Sequence, residues 1–212
     1  NPDTGTSYIP TTSAGAYLPR RNHHVYNPTT AAWNAHNLQR YSEDFSNGVY
    51  TKSQATITTN AATAPDGTAT ADLLEFTGAA GADQYLGMSD TLTGSYTAAF
   101  FVKAFDETQV GLSVRLDTTG GGADGVPVTL TADWQRVEVS HNPTGFFFVR
   151  LISSGSNTAT AMYVWGAQRY RSDLNGVVAN SGNAASGLYV PTTTTAVEPT
   201  LNAALSYGTL TG

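Results

Sequence analysis

Short runs in which apolar and polar positions alternate recur from residue 55 to residue 168, and no stretch sustains a helical repeat. Residues 95–103 read SYTAAFFVK, with Tyr96, Ala98, Phe100 and Val102 on one face. In 111–117, Leu112, Val114 and Leu116 alternate with Ser113, Arg115 and Asp117. In 135–140, Val137 and Val139 sit between Arg136 and Glu138. Successive side chains of a strand point to opposite faces, so each run predicts a strand with one buried side. Residues 55–60 alternate in the same way, and Pro65-Asp66-Gly67 supplies a turn after them. Further strands are predicted at 70–76, 84–89, 126–131, 146–152 and 161–168.

Eight or nine short strands separated by Gly-rich or Asp/Asn turns predict an all-β fold. A single sheet of that many strands leaves one apolar face wet, whereas two stacked sheets bury it. The expected architecture is therefore a β-sandwich of the jelly-roll type. Residues 1–36 hold four of the nine prolines and three of the four histidines without any sustained period, and read as an extended arm or connector. Residues 37–171 form the sandwich. Residues 172–212 are rich in Asn, Gly, Ser, Ala and Thr and read as an extended tail. Tyr8-Ile9-Pro10-Thr11-Thr12 is echoed by Tyr189-Val190-Pro191-Thr192-Thr193, which points to a repeat boundary.

Composition narrows the functional classes. The 212 residues carry a formal charge of −6, and only 12% of them are charged, about half the ~25% usual in soluble domains. Nothing here neutralises a row of phosphates, which argues against nucleic acid as a partner. No run approaches the roughly 18 apolar residues of a membrane helix, so no membrane insertion is predicted. The chain has no cysteine, which removes disulfides, thiolate metal sites and cysteine nucleophiles. It opens at Asn1 with neither a charged nor an apolar leader segment. We therefore expect a processed product or the ordered part of something longer.

Candidate chemistry concentrates on one strand. If Phe147, Val149 and Leu151 face the core, then Phe146, Phe148 and Arg150 share the opposite face. Two aromatic rings beside a guanidinium suit a sugar, whose C–H surface stacks on rings while its hydroxyls accept from Arg. The alternative is that the connector or a neighbouring subunit covers this face. Tyr50, Tyr85 and Arg115 are the other candidate binding residues. Trp134 and Trp165 lie in strand phrases and read as packing, while Trp33 is either a docking anchor or packing. His23-His24 invites a metal, but neighbours in an extended chain point apart and no third ligand lies close in sequence. No catalytic residues are assigned. Asp106-Glu107, Asp117, Asp124 and Asp133 are scattered among turns or strand ends, and no nucleophile elbow, zincin motif or phosphate loop is present. Gly120-Gly121-Gly122 precedes no helical pattern and reads as a hairpin. No cofactor is expected.

Several phrases in fixed order carry a resemblance. Asn37-Leu-Gln-Arg-Tyr-Ser-Glu-Asp-Phe-Ser-Asn47 is followed by Val49-Tyr50-Thr51-Lys52, and then by the turn-rich run 60–72. Residues 96–104, Val128-Thr-Leu-Thr-Ala-Asp-Trp-Gln-Arg-Val137 and Met162-Tyr-Val-Trp-Gly-Ala-Gln168 complete the set. Together they resemble the carbohydrate-binding-module-like jelly rolls of tailed-bacteriophage and gene-transfer-agent virion proteins: tail fibres, head fibres and spikes. In that family a phrase like SYIPT follows the WGAQ strand, which matches Tyr189 and makes the Tyr8 copy look like the end of a preceding domain. The Tyr17–Tyr26 phrase likewise resembles an element that precedes such domains. A Trp is common in the family where Tyr50 stands.

The resemblance implies a non-enzymatic protein on the virion surface, bound to host-surface polysaccharide or docked on the particle. Its partners would be copies of itself and other virion proteins. A carbohydrate-binding module of a secreted polysaccharide-degrading enzyme is the alternative, and capsid cement without glycan binding a third. Some related sugar-binding jelly rolls hold a structural calcium, to which Glu43-Asp44 could contribute. The expected carboxylate is missing from the last strand, and no metal is assigned.

Overall fold

The computed structural model describes residues 25–27, 32–34, 36–79, 82–119, 125–153, 158–172 and 189–198, with backbone alone at 25–27, 32–34 and 119. The Tyr8 phrase, His23-His24, Gly120-Gly121-Gly122 and Asp124 lie outside the described residues, and so does most of both arms.

A short antiparallel hairpin, β1 (Val25–Asn27) with β2 (Ala32–Asn34), stands inside what the sequence presents as an aperiodic arm. Three residues per strand are too few to show alternation. Ten strands then build the sandwich: β3 (Tyr50–Ser53), β4 (Ala55–Ala62), β5 (Ala71–Phe76), β6 (Gln84–Thr93), β7 (Tyr96–Ala104), β8 (Ser113–Thr119), β9 (Val126–Thr129), β10 (Gln135–His141), β11 (Thr144–Ser153) and β12 (Ala161–Arg171). Every strand predicted from alternation is present, and β3 is added.

The strands form two five-stranded antiparallel sheets. The back sheet runs β10-β7-β12-β5-β4 and the front sheet β3-β6-β11-β8-β9. The chain crosses repeatedly between them, giving an all-β jelly-roll sandwich. Between the sheets lie Leu74, Phe100, Val102 and Met162 from the back and Leu86, Met88, Leu116, Phe147 and Leu151 from the front. Each such fully buried side chain contributes about 1.5–3 kcal/mol. No α-helix occurs among the described residues.

The outer faces of the two sheets differ. On the back sheet Ala71, Ala99, Phe101, Trp165 and Gln168 are buried although they point away from the core between the sheets. On β12 a β-bulge between Trp165 and Gln168 shifts the alternation, so that Ala167 packs between the sheets and Gln168 points outward. Gly166 takes φ 63° there, and a Cβ on it would stand 3.1 Å from the Phe101 ring. Only glycine meets both demands. Trp165 points outward in step with its ladder partner Phe101, and Phe101, Ala64, Ala71 and Trp134 pack around it. Trp165 and Trp134 are thus packing residues, and the Trp134 indole N–H donates to Thr63 O.

Residues 189–198 complete this cover. The sequence places them in a tail beyond the domain, yet they lie along residues 37–42 and against β12. Asn37 fastens the three segments together. Its Oδ1 accepts from the backbone N–H groups of Gln39 and Arg169, and its Nδ2 donates to Ala167 O and Val190 O. All of its amide capacity is spent inside the protein, as a buried Asn requires. Thr192 adds bonds to Ser42 and Gln39, and Asn37 and Val197 form a β-bridge.

Candidate glycan-binding face

The outer face of the front sheet carries the open surface. On β11 Phe147, Val149 and Leu151 are buried, so Phe146, Phe148 and Arg150 point outward. The antiparallel register places Phe148 between Ser89 and Thr119, Arg150 between Gly87 and Asp117, and Ile152 between Tyr85 and Arg115. Five of the six residues proposed from sequence, Tyr85, Arg115, Phe146, Phe148 and Arg150, therefore share one face.

Their side chains touch in series. Phe146 and Phe148 meet edge to face with centroids 5.1 Å apart, and Phe148 lies 6.5 Å from the Tyr85 ring. The Arg150 guanidinium stands 5.3 Å from the centre of the same ring. Asp117, across the β8–β11 ladder, accepts from Arg150 Nη2 at 2.5 Å and pairs with Arg115 Nη2 at 3.3 Å. It fixes both guanidinium planes against the sheet, while the Arg115 side chain stays 44% exposed. Phe146 is 60% exposed.

Gly87 makes the floor. A Cβ at this position would lie 3.3 Å from Arg150 Cγ and 3.4 Å from Tyr85 Cδ2. Its bare backbone lets the Tyr85 ring and the Arg150 stem lie down beside each other. Neither Gly87 nor Asp117 stands out in the sequence as a site residue. A glycine inside an alternating run was the available signal for the first. Asp117 reads as a strand end but lies within β8.

Tyr50 does not belong with these residues. It points into the core at 3% exposure, with its ring 5.0 Å from that of Phe45 and its hydroxyl donating to Tyr41 O at 3.0 Å. Burial pushes that hydroxyl far above its ordinary pKa. The four-residue β3 is too short for alternation to decide its face, and the register with Met88 turns Tyr50 inward. A glycan on the surface cannot reach it.

The region where the sequence raises calcium is organised by an ammonium group. Lys52 Nζ donates to the carbonyls of Phe45, Ser46 and Asn47 at 3.2, 2.9 and 3.0 Å. Asp44 accepts from Ser46 Oγ, and Asp72 accepts from the N–H groups of Phe45 and Asn60. Among the described residues no three His, Cys, Asp or Glu side chains come together as metal ligands would. Asp106, one of the acids weighed for catalysis, holds a turn by accepting from Thr108 N–H and Oγ1, which keeps its carboxyl below its ordinary pKa.

No protein-family model matches the chain, and no curated protein matches it in sequence. Among solved structures it is similar to part of the arabinose-bound MgGH51 α-L-arabinofuranosidase, with a TM-score of 0.51 and 10% identity over 65% of this chain and 26% of that one. The enzymatically active domain of tailspike protein 4 from bacteriophage CBA120 matches with a TM-score of 0.46 and 14% identity over 64% of this chain and 21% of that one. TmCBM61, solved in complex with β-1,4-galactotriose, matches with a TM-score of 0.44 and 14% identity over 64% of this chain and 98% of that one. The first two matches span about a quarter and about a fifth of the partner chains. What is shared at this level of identity is the fold.

Proposed function

We propose that this chain is a non-enzymatic glycan-binding protein whose front face takes an extended polysaccharide strand. The observation that carries this reading is the line Phe146–Phe148–Tyr85 with Arg150, Asp117 and Arg115, open on one sheet, while the outer face of the other sheet is covered around Trp165. Exposed rings offer flat apolar surface to the C–H face of a sugar, and guanidinium groups held by a carboxylate present fixed donors to its hydroxyls. From Phe146 to Ile152 the strand advances roughly 20 Å at ~3.3 Å per residue. That is room for several sugar rings. Asp117 is the one acid among the described residues of this face, and it is paired with Arg150 and Arg115.

We further propose that the protein is displayed on the surface of a phage or phage-like particle and holds host-surface polysaccharide. The ordered phrases from Asn37 to Gln168 and the closing Tyr189 phrase support this setting. Self-association would raise the avidity of weak sugar contacts. The test is a multivalent fluorescent display of the full chain on bacterial cells before and after removal of their surface polysaccharide. Saturable binding that disappears on stripping, and that Phe148→Ala abolishes, is the expected result. Binding that survives stripping, or that is absent at high valency, overturns the reading.

A further inference from the structure

Beside the aromatic line, edge strand β3 begins only at Tyr50, and the loop ahead of it leaves a cleft of about 710 Å³. Loop residues 38–41 and 47–49 wall it, Ser89, Asp90 and Arg169 form its floor, and Ala196 and Glu198 of the returning segment make its far rim. That volume lies within the ~300–1,000 Å³ of small-molecule sites.

Arg169 is held there at some cost. Its side chain is 3% exposed, and its guanidinium carbon lies 5.7 Å from the centre of the Phe147 ring. Nη2 donates to Asp90 Oδ2 at 2.6 Å, whereas Nε and Nη1, both buried, have no acceptor among the described residues. Buried charges are normally paired throughout, so a guanidinium left half-satisfied beneath a polar cleft calls for an explanation. The wall supplies a second observation. Tyr41 has φ 52°, a left-handed backbone that a bulky residue adopts only under strain. The Tyr50 hydroxyl on its carbonyl and the bond from its N–H to Thr193 O hold it in place. Strain secured from outside in this way collects at ligand sites.

Charge and placement identify the ligand. Arg169 and Arg40 balance Asp90 and Glu198 around the cleft. An anion would meet the two carboxylates, a cation the two guanidinium groups, and an apolar molecule a mostly polar lining. A neutral polyhydroxylated ring finds both acceptors and donors. Ser89 in the floor stands directly opposite Phe148 across the β6–β11 ladder, so the cleft adjoins the aromatic line. We propose that the cleft is a second saccharide subsite, which takes the terminal ring of a neutral glycan whose preceding rings lie on Phe148 and Phe146. This rests on the glycan-binding reading of the front face.

A single sugar ring tests the cleft apart from the face. The isotopically labelled full chain is titrated with D-glucose, D-galactose, D-mannose and L-arabinose, with D-glucuronate as the charged comparison, and backbone amide shifts are followed. At least one neutral monosaccharide should move the amides of Gly48, Val49, Ser89 and Ala196 saturably below about 100 mM. Glu198→Gln and Asp90→Asn should each weaken that binding about tenfold, as loss of a charge-assisted hydrogen bond does. Silent cleft amides with every sugar, shifts indifferent to Glu198→Gln and Asp90→Asn, or a preference for glucuronate would each overturn the proposal. Polysaccharide binding lost in Phe148→Ala beside silent cleft amides leaves the face reading standing, and cleft shifts without polysaccharide binding do the reverse.

Discussion

The Tyr189 ring packs on Trp165 with centroids 4.3 Å apart, joining the segment beyond the last strand to the bulge in the middle of it. The Tyr189 hydroxyl donates to Glu43 Oε1 at 2.9 Å and shares a hydrogen bond with Ser42 Oγ. One residue thus closes the back sheet over Trp165 and ties down the loop that walls the cleft.

Tyr189→Ala should therefore destabilise the protein by about 2–3 kcal/mol, from the aromatic contact together with the stranded hydroxyl partners. Tyr189→Phe keeps the ring and should lose about 1 kcal/mol. Urea denaturation of the full chain measures both. Equal stability of Tyr189→Ala and wild type would show that the returning segment does not seal the back sheet.

His141 makes stability depend on pH. It is buried between the Tyr96 and Phe147 rings. Burial, reinforced by nearby Arg169, lowers its pKa from 6.5 to about 4. The unfolded chain takes up a proton near pH 6.5 and the folded chain only near pH 4. This contribution to stability is thus fully present above pH 6.5 and is lost as pH falls through that window, by up to about 3 kcal/mol. His141→Phe should flatten the pH dependence of the denaturation midpoint between 6.5 and 4. An unchanged slope would place the acid sensitivity elsewhere.

Lys52 stands in for a cation in the loop from Phe45 to Asn47. Lys52→Met leaves three carbonyls without their shared donor and should cost about 1–3 kcal/mol. Chelators should leave the melting temperature of the wild type unchanged. A chelator-sensitive wild type would mean that a metal, and not this ammonium group, organises the loop.

The fold was legible because alternation reports burial directly. Val114 and Leu116 against Arg115, or Phe147 and Val149 against Phe148, encode in a few residues which side meets the other sheet. The face carrying Phe146, Phe148 and Arg150 was legible for the same reason. Three things were hidden. Tyr50 sits in a strand too short to show its phase. Tyr189 and Thr192 are specific contacts inside a stretch whose average composition reads as a tail. The cleft is built by the aperiodic loop before β3, which meets Asp90, Arg169 and Glu198 only through the fold and leaves no local pattern.

The most direct measurement is retention of the full chain on immobilised polysaccharides, comparing wild type with Phe148→Ala and Gly87→Val. Valine is a favoured strand residue, so Gly87→Val should fold while its side chain displaces Tyr85 and Arg150 from the floor. At least one polysaccharide should retain the wild type, with a loss of about tenfold or more in each folded variant, as expected when one stacking ring or its footing is removed. Retention unaltered by both substitutions, or no retention of wild type on any polysaccharide, would contradict the glycan-binding reading.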